Sequence, residues 1–203
     1  MKLFRAIEKY ESRQIDKIAK KLIDDQKIKF GWRTIVFPLF IYDYIRYFNR
    51  LRVLRKNLFF TKQLALGTAQ NIYQGKERAW ETRLLEIKTK EILDKEKKGF
   101  YTEKIRNKQL KEIELLVDHY IDLLNSNQSS YADAIKAKYA SKGSYLEFQN
   151  KLRKTEAEVI QAAITTTRKG TKKERRQWFE KVKQATRINR MQEADRIYSE
   201  MKK

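Results

Sequence analysis

Residues 101–125, YTEKIRNKQLKEIELLVDHYIDLLN, place Ile105, Ile113, Leu116, Val117, Tyr120, Ile121 and Leu124 on one broad helical face. Apolar positions recurring at steps of three and four residues mark an amphipathic helix whose apolar side must be covered by another element. The chain on both sides offers that cover in the same helical period. Upstream, Phe4, Ile7, Glu11, Ile15, Ile18 and Leu22 trace a stripe through residues 3–28 with one polar interruption. A further helix from Lys76 to about Lys98 carries Trp80, Leu84, Ile87 and Glu91 on one face, with Leu85 and Ile92 beside them. Its KEKKG end sets lysines against the exposed carbonyls, and Gly99 closes it.

Downstream, the polar run NSNQSS stops the helix, and three hydroxyl–acid pairs follow at capping-box spacing: Ser130 with Asp133, Ser144 with Glu147, Thr171 with Glu174. They predict helices over about 131–141, 145–167 and 172–201. Gly67 to Gly75 reads as a break between helices. One Pro and six Gly in 203 residues, with 36% charged residues, is the composition of long helices with solvated faces. The fold expected is all-α: six or seven helices in an elongated bundle or hairpins, little or no sheet, and at least one helix longer than 20 residues. Residues 1–75 read as an N-terminal helical hairpin and 76–203 as a charged helical region, separate from the first or continuous with it.

Within the hairpin, residues 30–60, FGWRTIVFPLFIYDYIRYFNRLRVLRKNLFF, are the most apolar of the chain. From Thr34 to Tyr47 only Thr34, Asp43 and Arg46 are neither apolar nor aromatic. At 1.5 Å per residue a helix from Thr34 to Phe48 covers ~23 Å of a hydrocarbon layer roughly 30 Å thick, too little to cross it upright. Asp43 and Arg46 argue against a span as well. Pro38 starts or kinks the helix. Beyond it, Tyr47, Leu51, Leu54 and Leu58 form a stripe among Arg46, Arg50, Arg52, Arg55 and Lys56. Such a helix suits the surface of an anionic bilayer. Trp32, Ile35, Phe37, Pro38, Phe40, Tyr44, Tyr47 and Leu51 would then meet lipid, and the five cations would meet phosphate. The same residues also suit the core of a soluble bundle, and the sequence leaves both readings open.

Charge narrows the partners. Forty-seven Lys and Arg against 26 Asp and Glu leave +21, spread over both halves of the chain, which points to a polyanion: anionic lipid, or RNA as the alternative. For RNA or the ribosome, the contact would be the last helix, through Lys172, Lys173, Arg175, Arg176, Trp178, Lys181 and Lys183. Val182, Ala185 and Ile188 continue a narrow stripe from Trp178 that would hold that helix to its neighbours. A third reading is a soluble scaffold that oligomerises through its long helices.

Nothing in the sequence marks a reaction. Without Cys there is no disulfide, thiolate metal site or Cys nucleophile. Gly75-Lys76-Glu77 and Lys169-Gly170-Thr171-Lys172 lack the strand and the second Gly of a phosphate loop. His119, the single histidine, has Leu116 where a Glu-x-x-His metal pair needs its acid, and it reads as a helix-surface residue. The dispersed acids read as intrahelical partners of Lys and Arg. No catalytic residue, metal or cofactor is expected. MKLFRAIEKYESRQ has no secretory pattern, so the expected location is the cytoplasm, at the cytoplasmic face of a membrane.

Trp32, Pro38-Leu39-Phe40, Tyr42 and the basic-aromatic run through Lys62 resemble an uncharacterised family of small basic bacterial helical proteins. The likeness covers residues 30–66. It implies no catalytic residue, and it implies that this stretch is directed to a membrane.

Overall fold

The computed structural model describes residues 2–24, 52, 55, 58–95, 101–166 and 171–199. Among them are seven helices and no strand: α1 (Lys2–Asp24), α2 (58–73), α3 (Arg78–Lys95), α4 (Glu103–Leu124), α5 (Tyr131–Lys138), α6 (Lys142–Thr166) and α7 (Lys172–Ser199). The all-α expectation holds, with α1, α4, α6 and α7 each longer than 20 residues.

Local chemistry sets the boundaries. α2 ends in a Schellman turn: Lys76 N–H donates to the Asn71 carbonyl at 3.1 Å and Gly75 N–H to that of Ile72 at 2.9 Å. Gly75 supplies the φ of +92° that this turn requires. Gly67, expected to break the chain, lies inside α2; one glycine costs a helix only about 1 kcal/mol, which packing of Ala65, Leu66 and Ala69 readily offsets. Ser130 caps α5 as expected, its Oγ accepting from Asp133 N–H at 3.2 Å. At α6 the cap is Ser141 instead of Ser144: Ser144 N–H donates to Ser141 Oγ at 3.1 Å, so the helix starts three residues earlier than expected.

The helices pack as antiparallel neighbours. Lys62 pairs with Glu11 and Arg55 with Asp16, which aligns α2 against α1. Asn189 donates to Gln14 at 2.8 Å, aligning α7 against α1. Lys108–Glu158 at 2.8 Å and Thr102–Thr166 at 3.2 Å align α4 with α6, the most extensive helix pair. α4 lies at the centre, and its Ile113, Leu116, Tyr120 and Leu123 are fully enclosed. The core joins Leu3, Ile7, Ala65, Leu66 and Ala69 to Tyr145, Leu152, Ala194 and Ile197, so helices from both sides of residue 75 share it. Each large apolar side chain so enclosed contributes about 1.5–3 kcal/mol.

One expected face is corrected. α3 buries Glu81, Leu85 and Thr89, with Asn71 of α2 donating to Glu81 and Arg106 of α4 to Thr89, leaving Trp80 and Ile87 about half exposed. The ion pairs are also less local than expected. Lys90–Asp94, Lys95–Glu91, Arg106–Glu103 and Lys183–Glu180 run along a helix. Those that fix the bundle cross between elements: Arg78–Asp118, Lys138–Asp122, Lys142–Asp195 and Arg190–Glu156.

Candidate functional site

Two features stand apart from the apolar packing: a polar chamber at the centre of the bundle and a basic pole at one end of it. The chamber exists because α1, α2, α4, α6 and α7 place polar residues among their apolar ones. Glu11 interrupts the stripe of α1. Its Oε1 accepts from the Tyr120 hydroxyl at 2.9 Å, and its Oε2 meets Lys62 of α2. Glu156 of α6 holds Arg190 of α7 through two hydrogen bonds, at 2.8 and 2.5 Å. Glu193, one turn on, accepts from the Tyr145 hydroxyl at 2.6 Å. Between these groups lies a cavity of about 70 Å³ that also touches Gln14, Gln149, Asn189 and His119.

Burial governs the protonation of these groups. It pushes Glu112 of α4 up to about 8, with the Glu156 charge adding and Arg190 and Lys62 opposing. Glu193 is also raised, by burial first, against the hydrogen bond from Tyr145. Burial works against the Arg190 guanidinium, but Glu156, Glu193 and Glu11 more than offset this and hold its proton tighter than usual. The phenols of Tyr120, Tyr131 and Tyr145 are driven well above their ordinary value, mainly by burial. Tyr10 stacks on Tyr131, ring centroids 3.8 Å apart, closing the chamber towards α5.

His119 corrects the surface placement that the sequence suggested. It is 4% exposed, stacked on Phe148 with ring centroids 4.2 Å apart, and its Nδ1 lies 2.9 Å from the Tyr139 hydroxyl. Burial, then the charges of Lys62 and Lys138, lowers it from 6.5 to about 3, so the ring is neutral. Together with Phe148 it forms the wall between the chamber and an outer groove of about 360 Å³. Among the described residues no group of three His, Asp or Glu is placed to hold a metal ion.

The basic pole is set by topology. Leu58 of α2 and Val182 of α7 pack on Ile18, Leu22 and Ala185, which brings the end of α1 and the starts of α2 and α7 together. The start of α4 and the end of α6 meet through Thr102 and Thr166, and Gln109 donates to Thr61 at 2.8 Å. The connections 25–57, 96–100 and 167–171 therefore all join helix ends at this pole. They hold twelve Lys and Arg against three Asp and Glu, whereas 74–77, 125–130 and 139–141 at the other pole hold one of each.

Of the residues singled out in the sequence, Trp32, Ile35, Phe37, Pro38, Phe40, Tyr44, Arg46, Tyr47, Arg50, Leu51 and Lys56 lie outside the described residues. Arg52 and Arg55 are exposed on helical backbone, Arg55 beside Asp16. In α7, Lys173, Arg176 and Lys181 are exposed and Lys183 is held by Glu180 at 2.6 Å. Lys172, Arg175 and Trp178 occupy helical positions whose side chains lie outside the description. Val182 and Ala185 do pack inward as the stripe requires. Of the lipid set, the described Arg52 and Arg55 precede the start of α2, which shares one pole with the start of α7, where the RNA set begins. The chamber residues were not found in the sequence, apart from Glu11 as the polar member of a stripe. Comparisons with protein-family models, with curated proteins and with solved structures return no match.

Proposed function

We propose that this chain is a non-enzymatic helical protein that attaches peripherally to an anionic membrane surface through residues 32–60, as an anchor or scaffold at the cytoplasmic face. The observation that carries this reading is the shared pole: the end of α1 and the start of α2, which flank the most apolar stretch in sequence, meet where the connections between helix ends are most cationic. No described helix is long and apolar enough to cross a membrane.

The two contributions act together. Apolar and aromatic side chains such as Ile35, Phe37 and Phe40 supply hydrophobic insertion, at roughly 1.5–3 kcal/mol for each large side chain fully removed from water. Cations held near anionic headgroups add about 1 kcal/mol each and select the lipid charge. Lys17, Lys20 and Lys21 of α1, Arg52 ahead of α2, and Lys173 and Arg176 of α7 are exposed around the pole and available for that role.

Flotation with neutral and anionic vesicles at low and high salt tests the proposal. Binding to anionic vesicles that weakens in salt and is lost in a Phe37→Asp, Phe40→Asp double variant is expected. Failure of the folded protein to float, with salt-sensitive RNA binding instead, would replace lipid by RNA as the partner of this pole.

A further inference from the structure

Glu11, Glu156 and Glu193 line the chamber and Glu112 is buried within reach of its charges, so four carboxylates from four helices share only two cations. Lys62 is committed to Glu11, and Arg190 to Glu156 through both of its terminal nitrogens. Two carboxylates are left without a cation of their own. Glu112 and Glu193 are 8% and 7% exposed, and an ionised carboxylate so enclosed and unpaired is expensive. Glu112 faces Lys62 of α2, Glu156 of α6 and Arg190 of α7. Glu193 faces Glu11 and Tyr10 of α1, Lys62 of α2 and Tyr145 of α6. The groups around them therefore span every long helix of the bundle except α3.

We propose that the chamber is a proton-loaded lock: Glu112 and Glu193 are folded in as neutral acids, and the hold between α1, α4, α6 and α7 weakens as pH rises through neutrality. The raised values of both acids, about 8 for Glu112, agree with the charge count. A carboxyl held protonated to a higher pH in the fold than in the unfolded chain stabilises the fold fully below its unfolded value. That stabilisation declines as pH rises towards the folded value and levels off above it. Between those limits each group changes the folding constant roughly tenfold per pH unit. His119 acts in the opposite direction and only below about 6.5, so the fall from pH 6.5 to about 8 belongs to Glu112, with Glu193 adding to it over its own raised range.

Thermal unfolding of the full chain from pH 6.5 to 9 reads this directly. Glu112 is expected to lower Tm by roughly 3–6 °C per pH unit up to about pH 8, with a flatter profile above. Glu112→Gln should remove about one proton's share of the slope, Glu193→Gln should reduce it further, and the double variant should lose nearly all of it. Glu158→Gln, at an exposed pair with Lys108, should leave it unchanged. Should the chamber variants not fold, calorimetry of the unaltered chain at pH 7 in buffers of different ionisation heat gives the protons released on unfolding, expected to be about one from Glu112 with any share of Glu193 added. A Tm constant from pH 6.5 to 8, a double variant with the full slope, or no proton release would overturn the proposal.

Discussion

An imidazole enclosed by aromatic rings loses the water that would support its charge, so a proton reaching His119 must be taken up at the expense of the fold. Its folded value near 3 lies below the unfolded 6.5, so the stability it contributes is present above 6.5 and is lost as pH falls towards 3. Each pH unit in that window costs about 1.4 kcal/mol. His119→Gln, which keeps a hydrogen-bonding partner for Tyr139, should therefore flatten the fall in Tm between pH 6 and 4 by about one proton's worth. Equal slopes in the two proteins would contradict the buried, neutral setting. The Glu156–Arg190 pair makes a second residue-level prediction. Arg190→Met leaves a largely enclosed carboxylate without its counter-ion and should cost about 3–5 kcal/mol in urea unfolding, and adding Glu156→Gln should recover part of that. Neither setting was legible in the sequence. The apolar arc of α4 showed which side is buried but not that neighbours enclose it on several sides, taking Gln109, Glu112 and His119 inward as well.

Helices were read more reliably than the direction in which each one faces. Periodicity, hydroxyl caps and glycines located every described helix but α2 to within a few residues, because those signals depend on local backbone chemistry; at α2 the break read at Gly67 falls inside the helix. α3 is the instructive failure. It has two apolar faces, Trp80–Leu84–Ile87 and Leu85–Ile92, and the bundle uses the second because Leu85 and Thr89 meet α4 there. Helical period cannot rank two such faces. The structure makes the ranking testable: Leu85→Ala should cost about 2–5 kcal/mol as a core truncation, and Trp80→Ser less than about 0.5 kcal/mol. The start of α6 gives a parallel test, since Ser141→Ala should cost about 1 kcal/mol and Ser144→Ala markedly less. Chemical denaturation checks all four variants, and a reversed order in either pair would contradict the assigned faces or cap.

At the scale of the molecule, the sequence announced a large positive charge and one apolar stretch but not where the helices that flank them meet. That depends on which helix ends come together, and contacts as distant as Gln14 with Asn189 and Glu11 with Lys62 decide it. The antiparallel order gathers the helix ends joined by the three cationic connections at one pole and those joined by near-neutral ones at the other, and the proposed function takes the first pole as the one that meets a negative surface. Orientation on the membrane is thus the central claim, and the tryptophans report it. Trp32 lies in the proposed contact, whereas Trp80 is an exposed residue on the first turn of α3, towards the opposite pole. Two variants are needed, one retaining only Trp32 (Trp80→Phe, Trp178→Phe) and one retaining only Trp80 (Trp32→Phe, Trp178→Phe). Each is mixed with anionic vesicles containing brominated acyl chains, and fluorescence quenching is measured. The account predicts a blue shift and strong quenching of Trp32, with Trp80 unaffected. Vesicle-bound protein in which Trp32 escapes quenching, or in which Trp80 is quenched equally, would contradict it.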